Sequence, residues 1–312
     1  MASPWPGTAL PHEPGLSDTL ELLIRVSNYE HRRGGFWMPM KAGTFHSIQT
    51  NFTNQWFISI LVSGILFASF LFFLIFYVLD RRDRKLLMFA VLVLCLALRP
   101  FLSAPYLATI VDIRNWNLII RGEYLILLFM VTSGMWLAYL IYPARWFRRF
   151  AIAADVVFVP GVAAVVFLPV RIFSWSVFGI QAIAMLAMLY VVSMSIRGIM
   201  KGNRRDILYL LAFLAILFGL VSDILMSNAL EENQQLYILS FLILIFVLIQ
   251  ATLLIADWVR RGKEREKLSG QLEELNHSLE SRVEERTREL TDRTEELNAR
   301  NKQIALQNKK LT

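Results

Sequence analysis

Long apolar stretches alternate with short polar segments through the middle of the chain. Seven of them reach the length of about 20 mostly apolar residues that a helix needs to cross a hydrocarbon core about 30 Å thick. They cover residues 56–79, 86–110, 117–141, 148–168, 173–196, 206–228 and 235–257. The pattern predicts seven membrane-spanning helices, because a soluble protein would have to bury seven helices that are apolar on every side.

The pattern changes after the last apolar stretch. Residues 258–312 contain no proline and are rich in Glu, Arg, Lys, Leu and Asn. Apolar side chains recur through this segment, and the last four of them lie seven residues apart, which predicts the seam of a coiled coil. The predicted core positions are Leu268, Leu272, Leu275, Leu279, Val283, Leu290, Leu297, Ile304 and Leu311. The step from Leu279 to Val283 is one residue longer than the repeat requires, which is typical of a stutter that locally unwinds the supercoil.

Polar residues occupy the companion core positions in the later part of this segment, namely Thr287, Thr294, Asn301 and Asn308. A buried Asn at such a position favours two strands in register and lowers their stability. We therefore expect a homodimeric coiled coil of marginal stability, which suits a helix that switches between two packings. The alternative is a single solvated helix stabilised by neighbouring Glu and Arg side chains.

Basic residues are distributed unequally between the two ends of the predicted spans. Fourteen of them lie in alternate loops and directly after the seventh span (Arg260, Arg261 and Lys263), whereas the opposite loops contain only Arg114 and Arg171. Because basic loops stay in the cytoplasm, this predicts an outer N-terminus and a cytoplasmic C-terminus in an inner (plasma) membrane. The net charge of +7 is then explained by contact with the lipid bilayer, and we expect no nucleic-acid partner.

The residues that carry chemistry are scarce. Cys95 is the single cysteine, which excludes an intrachain disulfide, and the four histidines are scattered along the chain. His277 lacks the proline-containing acceptor motif of sensor kinases and is interpreted as a solvent-facing coiled-coil residue. We expect no catalytic residues, no metal site, no cofactor and no enzymatic activity in this polypeptide.

The first 55 residues differ from the rest. Residues 1–20 are rich in Pro, Gly and Ser, while residues 20–26 alternate as a half-buried strand does, and residues 36–40 suggest a second strand. Two strands cannot bury a core alone, so the segment is interpreted as the remnant of a larger β domain.

Several short motifs point to one family. Residues 24–36, followed by Ala42-Gly43, resemble the last strands of a periplasmic jelly-roll domain. Gly64, the Arg81-Arg-Asp-Arg84 turn, the Arg121-Gly-Glu-Tyr124 sequence and Asp223 are similar in style to the membrane unit that comes after such a domain, and residues 279–290 resemble the linker helix that precedes output modules in bacterial sensors. The chain thus resembles the bacterial seven-transmembrane receptors with diverse intracellular signalling modules.

The resemblance implies three parts. They are an extracytoplasmic segment with a partial jelly roll (1–55), a seven-transmembrane sensor (56–257) and a cytoplasmic signalling helix (258–312). The resemblance implies that the first half of the jelly roll is missing from residues 1–55. The output module expected after the helix, of histidine kinase, cyclase, cyclic-dinucleotide or phosphatase type, lies outside this chain.

Charged side chains inside the spans are costly and mark either structure or function. Four of them fall in the outer half of the bundle: Arg99, Arg121, Glu123 and Asp223. One interpretation is a ligand site at the outer mouth, with Arg99–Asp223 and Arg121–Glu123 of complementary sign. The other is structural pairing between helices. Asp155 is expected to pair with Arg148 or Arg149, and Gln181 and Gln250 to hydrogen-bond between helices.

The sequence thus predicts an all-α membrane protein with a short β remnant, acting as a signal-transduction receptor. A small-molecule or carbohydrate-like stimulus would shift span seven, and the continuous helix beyond it would carry the shift to a cytoplasmic effector. Two alternatives stay open. One is a transporter or channel, and the other is a membrane scaffold whose helix recruits a soluble partner.

Overall fold

The computed structural model describes residues 43–103, 116–226 and 235–311, which contain helices and no strand. The described helices are α1 (Phe45–Leu79), α2 (Arg84–Ser103), α3 (Trp116–Ile141), α4 (Arg145–Phe167), α5 (Val170–Phe173), α6 (Ser176–Met200), α7 (Arg205–Met226) and α8 (Gln235–Leu311). The all-α membrane fold is therefore confirmed. The strands predicted within residues 20–40 lie outside the described residues.

Six of the described helical segments are long and apolar enough to cross a membrane: α1, α2, α3, α4, α6 together with α5, and the first part of α8. They carry six of the seven predicted spans. The remaining span corresponds to α7, whose 22 residues extend about 33 Å at the usual helical rise. That length matches a hydrocarbon core of about 30 Å.

The first helix begins well before the predicted span at residue 56. The Thr44 side chain accepts a hydrogen bond from the Ser47 amide at 3.3 Å and caps α1, which then runs without interruption from Phe45. The apolar pattern missed this part of the helix because Gln49, Asn51 and Asn54 are polar. A helix end outside the hydrocarbon core does not need apolar residues.

Helix α2 lies in the middle of one side of the bundle, packed between α1 and α3. Its Leu86, Phe89, Ala90 and Val93 are completely buried. Helix α3 also contacts α4, α5 and α6, and α6 contacts α7. The outward faces remain apolar, as Phe57 of α1 and Val156 of α4 illustrate with about two thirds of each residue exposed. These are the surfaces that lipid would cover.

Phenylalanine rings link the first two helices to the seventh and eighth. Phe73 of α1 packs edge-on against Phe89 of α2 at 4.8 Å, and Phe89 lies 6.5 Å from Phe246 of α8. Phe246 in turn meets Phe213 of α7 at 5.8 Å. Buried aromatic pairs at such spacings contribute packing and a modest edge-to-face attraction. They hold the span-seven part of α8 within the bundle.

The chain divides into two compact units, one ending at Thr252 and the other beginning at Leu253. The second unit consists of the later part of α8. The helix as a whole contains 77 residues from Gln235 to Leu311. The predicted continuity of the helix from span seven through Leu290 is confirmed.

Candidate functional site

Arg121 of α3 caps the C-terminal end of the neighbouring helix α4 with hydrogen bonds. It lies in the second turn of α3, and its guanidinium donates to the backbone carbonyls of Val165, Val166 (2.8 Å) and Leu168 (2.9 Å). The last carbonyls of a helix have no partner within it and carry partial negative charge, so a cation there is doubly favourable. The guanidinium also lies 5.4 Å above the Phe173 ring. Arg121 therefore fixes α3 to the end of α4.

Buried apolar side chains surround this contact. Tyr124, one turn further along α3, donates to the Ser174 carbonyl at 3.2 Å and packs edge-on against Phe173 at 5.1 Å. The same core cluster also contains Ile120, Leu128, Phe158, Val165, Val170 and Ile180. The donors of Arg121 thus serve the α4 carbonyls rather than Glu123. The geometry favours the structural interpretation for Arg121.

For the other three predicted ligand-site residues, Arg99, Glu123 and Asp223, the structure shows less of the surroundings than it does for Arg121. Arg99 and Glu123 are half-buried, and each makes an interaction of its own. A Cβ on Gly122 would lie 3.1 Å from a Leu102 methyl, so the α2 segment after Arg99 and the α3 segment holding Glu123 approach closely. Asp223 lies in α7, and its side chain is outside the described residues. A ligand site built from these four residues stays a prediction.

Asp155 has a different partner from the one predicted. The Trp136 indole of α3 donates to Asp155 Oδ2 of α4 at 2.8 Å, while the other carboxylate oxygen is buried without a hydrogen-bond partner among the described residues. Pairing with Arg148 or Arg149 was wrong. Both arginines are exposed near the helix start, where they reach water, whereas Asp155 lies deeper along α4 beside Trp136.

A polar cluster at the basic end of the bundle was not predicted. The Tyr142 hydroxyl, just beyond α3, donates to Asp206 Oδ1 of α7 at 2.6 Å, and the Asn203 amide donates to Asp206 Oδ2 at 2.8 Å. Ser195 of α6 lies 3.1 Å from the Tyr142 oxygen. Because the single phenolic proton is committed to Asp206, Ser195 is the donor in that bond. Three helix ends meet at one buried carboxylate.

The turn between α6 and α7 explains how Asp206 reaches this place. Gly202 has φ of 84°. The backbone N–H of Asn203 donates to the Gly198 carbonyl at 3.1 Å, and the backbone N–H of Gly202 donates to the Ile199 carbonyl at 2.9 Å. These bonds form a Schellman motif, for which glycine is the favoured residue. The motif reverses the chain tightly and lays the Asp206 carboxylate directly over Gly198, where a Cβ would overlap it.

The Tyr142 hydroxyl in this cluster acts as a hydrogen-bond donor. Burial and the adjacent Asp206 carboxylate both raise the pKa of Tyr142 above its ordinary value. The hydroxyl therefore stays protonated at neutral pH and the bond to Asp206 persists. Tyr190 of α6 donates to the Tyr142 carbonyl at 2.5 Å and stacks on Phe147 of α4 at 3.9 Å, which brings α4 into the same assembly.

Gln250 is an exception to polar pairing in the bundle. It lies in the span-seven part of α8, one turn after Phe246 on the buried face of the helix, and it is completely buried. Neither its amide nitrogen nor its amide oxygen has a hydrogen-bond partner among the described residues. The predicted interhelical hydrogen bond of Gln250 is therefore wrong for this arrangement. An unpaired buried amide costs about 1–3 kcal/mol.

The predicted coiled-coil seam is exposed on the single chain. Roughly half to two thirds of each described apolar seam residue is exposed, namely of Leu268, Leu272, Leu275, Leu279, Val283, Leu290 and Leu297. The Thr287 and Thr294 hydroxyls donate to the Val283 and Leu290 carbonyls one turn back, both at 2.7 Å. Because these hydroxyls are satisfied within the helix, the threonine methyl groups are free to join an apolar seam. Asn301 is exposed, and the side chains of Ile304 and Leu311 lie outside the described residues.

Ion pairs run along other faces of the same helix. Arg286 and Arg293 both bind Glu289, at 3.0 and 2.9 Å, and Arg300 binds Glu296 at 2.8 Å. Such pairs contribute about 0.3–0.5 kcal/mol each to a solvated helix. They stabilise the helix as a single chain without covering its leucines.

Replacing Arg121 by Met tests its structural role. The α4 carbonyls would lose their donors, so we expect the free energy of unfolding to fall by about 1–3 kcal/mol. Thermal unfolding in detergent micelles measures the change. Arg171→Met is the matched control, since Arg171 is exposed, and should have little effect. Unchanged stability in Arg121→Met would instead favour a ligand-contacting role.

Replacing Gly198 by Ala tests the polar cluster. The new methyl group displaces the Asp206 carboxylate from Tyr142, and we expect a loss of about 1–3 kcal/mol in unfolding free energy. Gly179 lies in the same helix with open space around it, so Gly179→Ala should be neutral or slightly stabilising. Equal effects of the two substitutions in thermal unfolding would contradict the observed placement of Asp206.

Comparison with known proteins agrees with this architecture. No curated protein and no solved structure matches the chain. A family model described as 7TM diverse intracellular signalling matches residues 55–257, which cover the membrane part from α1 into α8. The resemblance is confirmed for this membrane part, and the chain is a multi-pass membrane protein that belongs to the 7TM diverse intracellular signalling family.

Proposed function

We propose that this chain is a receptor in which span seven relays a stimulus along α8 to a signalling output. The observation that carries the proposal is the unbroken course of α8 from an apolar membrane segment into a charged segment with exposed heptad leucines. A continuous helix transmits rotation or translation without a hinge to absorb it. The 312 residues act as sensor and relay, and catalysis belongs to an output module beyond α8 or on a partner.

The signalling form is a homodimer through the α8 seam. The exposed apolar stripe supports this, because a row of leucines at heptad spacing is covered when two such helices pair. The satisfied hydroxyls of Thr287 and Thr294 remove one cost of burying polar side chains in that seam. The exposed Asn301 is the position expected to fix the register.

Switching requires a second packing of span seven with a similar free energy. The unpaired amide of Gln250 weakens the observed packing by about 1–3 kcal/mol. Any arrangement that gives this amide a partner gains that amount. The unpaired Gln250 amide thus reduces the difference in free energy between the two packings of span seven. A weakly binding stimulus is then sufficient to change which packing is populated.

The basic end of the bundle faces the cytoplasm of an inner membrane, as the distribution of arginine and lysine supports. The stimulus is a small-molecule or carbohydrate-like ligand, acting on the outer side near Arg99, Glu123 and Asp223. Arg121 contributes there by positioning α3 against α4. The scaffold alternative differs in one respect, since a scaffold has no stimulus-dependent change in α8.

Cysteine cross-linking tests the dimer. Leu290 lies on the seam, whereas Asp292 lies about 200° around the same helix and serves as the control. In a background where buried Cys95 is replaced by Ala, Leu290→Cys should form a disulfide-linked dimer in membranes and Asp292→Cys should not. Equal cross-linking at both positions, or at neither, contradicts the proposed seam. A scaffold predicts yields that no candidate stimulus alters.

Substitution of Gln250 tests whether its unpaired amide weakens the observed packing of span seven. Gln250→Met removes the unpaired amide at similar volume, so we expect the free energy of unfolding to rise by about 1–2 kcal/mol. Gln250→Glu buries a carboxyl group at the same place and should lower stability. Thermal unfolding of both variants measures the pair of opposite shifts. Destabilisation by Met would show that the amide has a partner, and would remove this basis for switching.

A further inference from the structure

The polar cluster at Asp206 brings two basic turns together. Tyr142, in the turn that leads into α4, bonds to Ser195 near the end of α6 and to Asp206 at the start of α7. The α3–α4 turn and the α6–α7 turn are therefore adjacent at the same end of the bundle. Seven exposed cations belong to these two turns: Arg145, Arg148, Arg149, Arg197, Lys201, Arg204 and Arg205.

Within each of the two turns, helical spacing places cations side by side. Arg145, Arg148 and Arg149 are at positions i, i+3 and i+4, which share one face of α4. Arg197 and Lys201 are four residues apart at the end of α6 and share a face in the same way. Arg197 is also seven residues beyond Tyr190, so it lies on the side of α6 that meets α4 through the Tyr190–Phe147 stack.

Most of this charge is not neutralised within the part of the chain that the structure describes. Arg205 makes an interaction of its own, and none of the other six cations forms an ion pair with a described residue. The nearby Asp206 carboxylate is buried and committed to Tyr142 and Asn203. Like charges held together by the fold repel, and an anion placed among them relieves that repulsion.

An aromatic side chain sets the depth of this patch. Trp146 is 60% exposed, beside Arg145, and its indole packs edge-on against Tyr190 at 5.0 Å. Exposed tryptophans at the ends of membrane helices sit at the level of the lipid headgroups. An anion bound at that depth would be the phosphate of a phospholipid, whose acyl chains would meet the exposed apolar face of α4 at Ile152 and Val156.

We propose that the α3–α4 and α6–α7 turns together form a binding site for one anionic phospholipid of the adjacent leaflet. The two basic turns contribute cations from both sides of the headgroup, while Trp146 borders it. The α1–α2 turn provides a contrast within the same chain. Its Arg81, Arg82, Arg84 and Lys85 are interspersed with Asp80 and Asp83, so its positive field is weaker.

Native mass spectrometry of the purified full chain tests the site. Protein in neutral detergent micelles is titrated with phosphatidylglycerol, or with phosphatidylcholine of the same acyl chains. We expect the first phosphatidylglycerol to bind roughly tenfold or more tightly than phosphatidylcholine. Each arginine removed should weaken binding roughly fivefold, so Arg148→Gln/Arg149→Gln should lose about 25-fold.

Two further variants make the outcome decisive. Arg197→Gln/Lys201→Gln, on the other turn, should show a similar loss, because both turns contribute. Arg81→Gln/Arg82→Gln removes the same charge from the α1–α2 turn and should change the affinity less than about twofold. Thermal unfolding without added lipid identifies any variant that is misfolded, in which case the other basic-turn variant decides.

Three results would overturn the proposal. The first is equal weakening in the α1–α2 control, which indicates diffuse electrostatic attraction. The second is the absence of a preference for phosphatidylglycerol. The third is displacement of phosphatidylglycerol by millimolar inorganic phosphate or by an acidic peptide, which assigns the patch to a soluble anion or to a protein.

Discussion

The absence of water in the bilayer core is the constraint on which the structure depends. A helix satisfies its own backbone there, but a buried polar side chain needs a hydrogen-bond partner, either within its own helix or on another one. Arg121 supplies donors to the end of α4, and Tyr142, Ser195 and Asn203 surround the carboxylate of Asp206. The apolar faces fill the remaining space. The few polar contacts therefore determine which helices are neighbours and in which register.

These contacts are unequally distributed through the bundle. Helix α3 is tied near one end to α4 by Arg121 and near the other to α6 and α7 by Tyr142, with Trp136 reaching Asp155 between them. The Phe246 ring packs span seven against Phe89 and Phe213, and the buried amide of Gln250 is unpaired among the described residues. Aromatic packing is less directional than hydrogen bonding. We propose span seven as the element that shifts, because it is the one that continues into the long helix.

Periodicity and charge in the sequence were enough to predict the helical elements but not their partners. Apolar length located the spans, and α8 runs without a break from the last of them through Leu290 and Leu297, which the heptads predict as seam residues. Asp155 pairs with Trp136 rather than with an arginine because proximity along one helix says nothing about the facing helix. In the sequence Asp206 marks only the start of a span, although the glycines at 198 and 202 indicate a close approach and a tight turn there.

Seven crossings would place the N-terminus and the charged segment of α8 on opposite sides of the membrane, and the proposed inward relay depends on this arrangement. Labelling of N-terminal and C-terminal tags with a membrane-impermeant reagent, in sealed vesicles of known sidedness, measures this directly. An N-terminal tag accessible only from outside and a C-terminal tag accessible only from inside is the predicted result. Accessibility of both tags from the same side would contradict the inward relay.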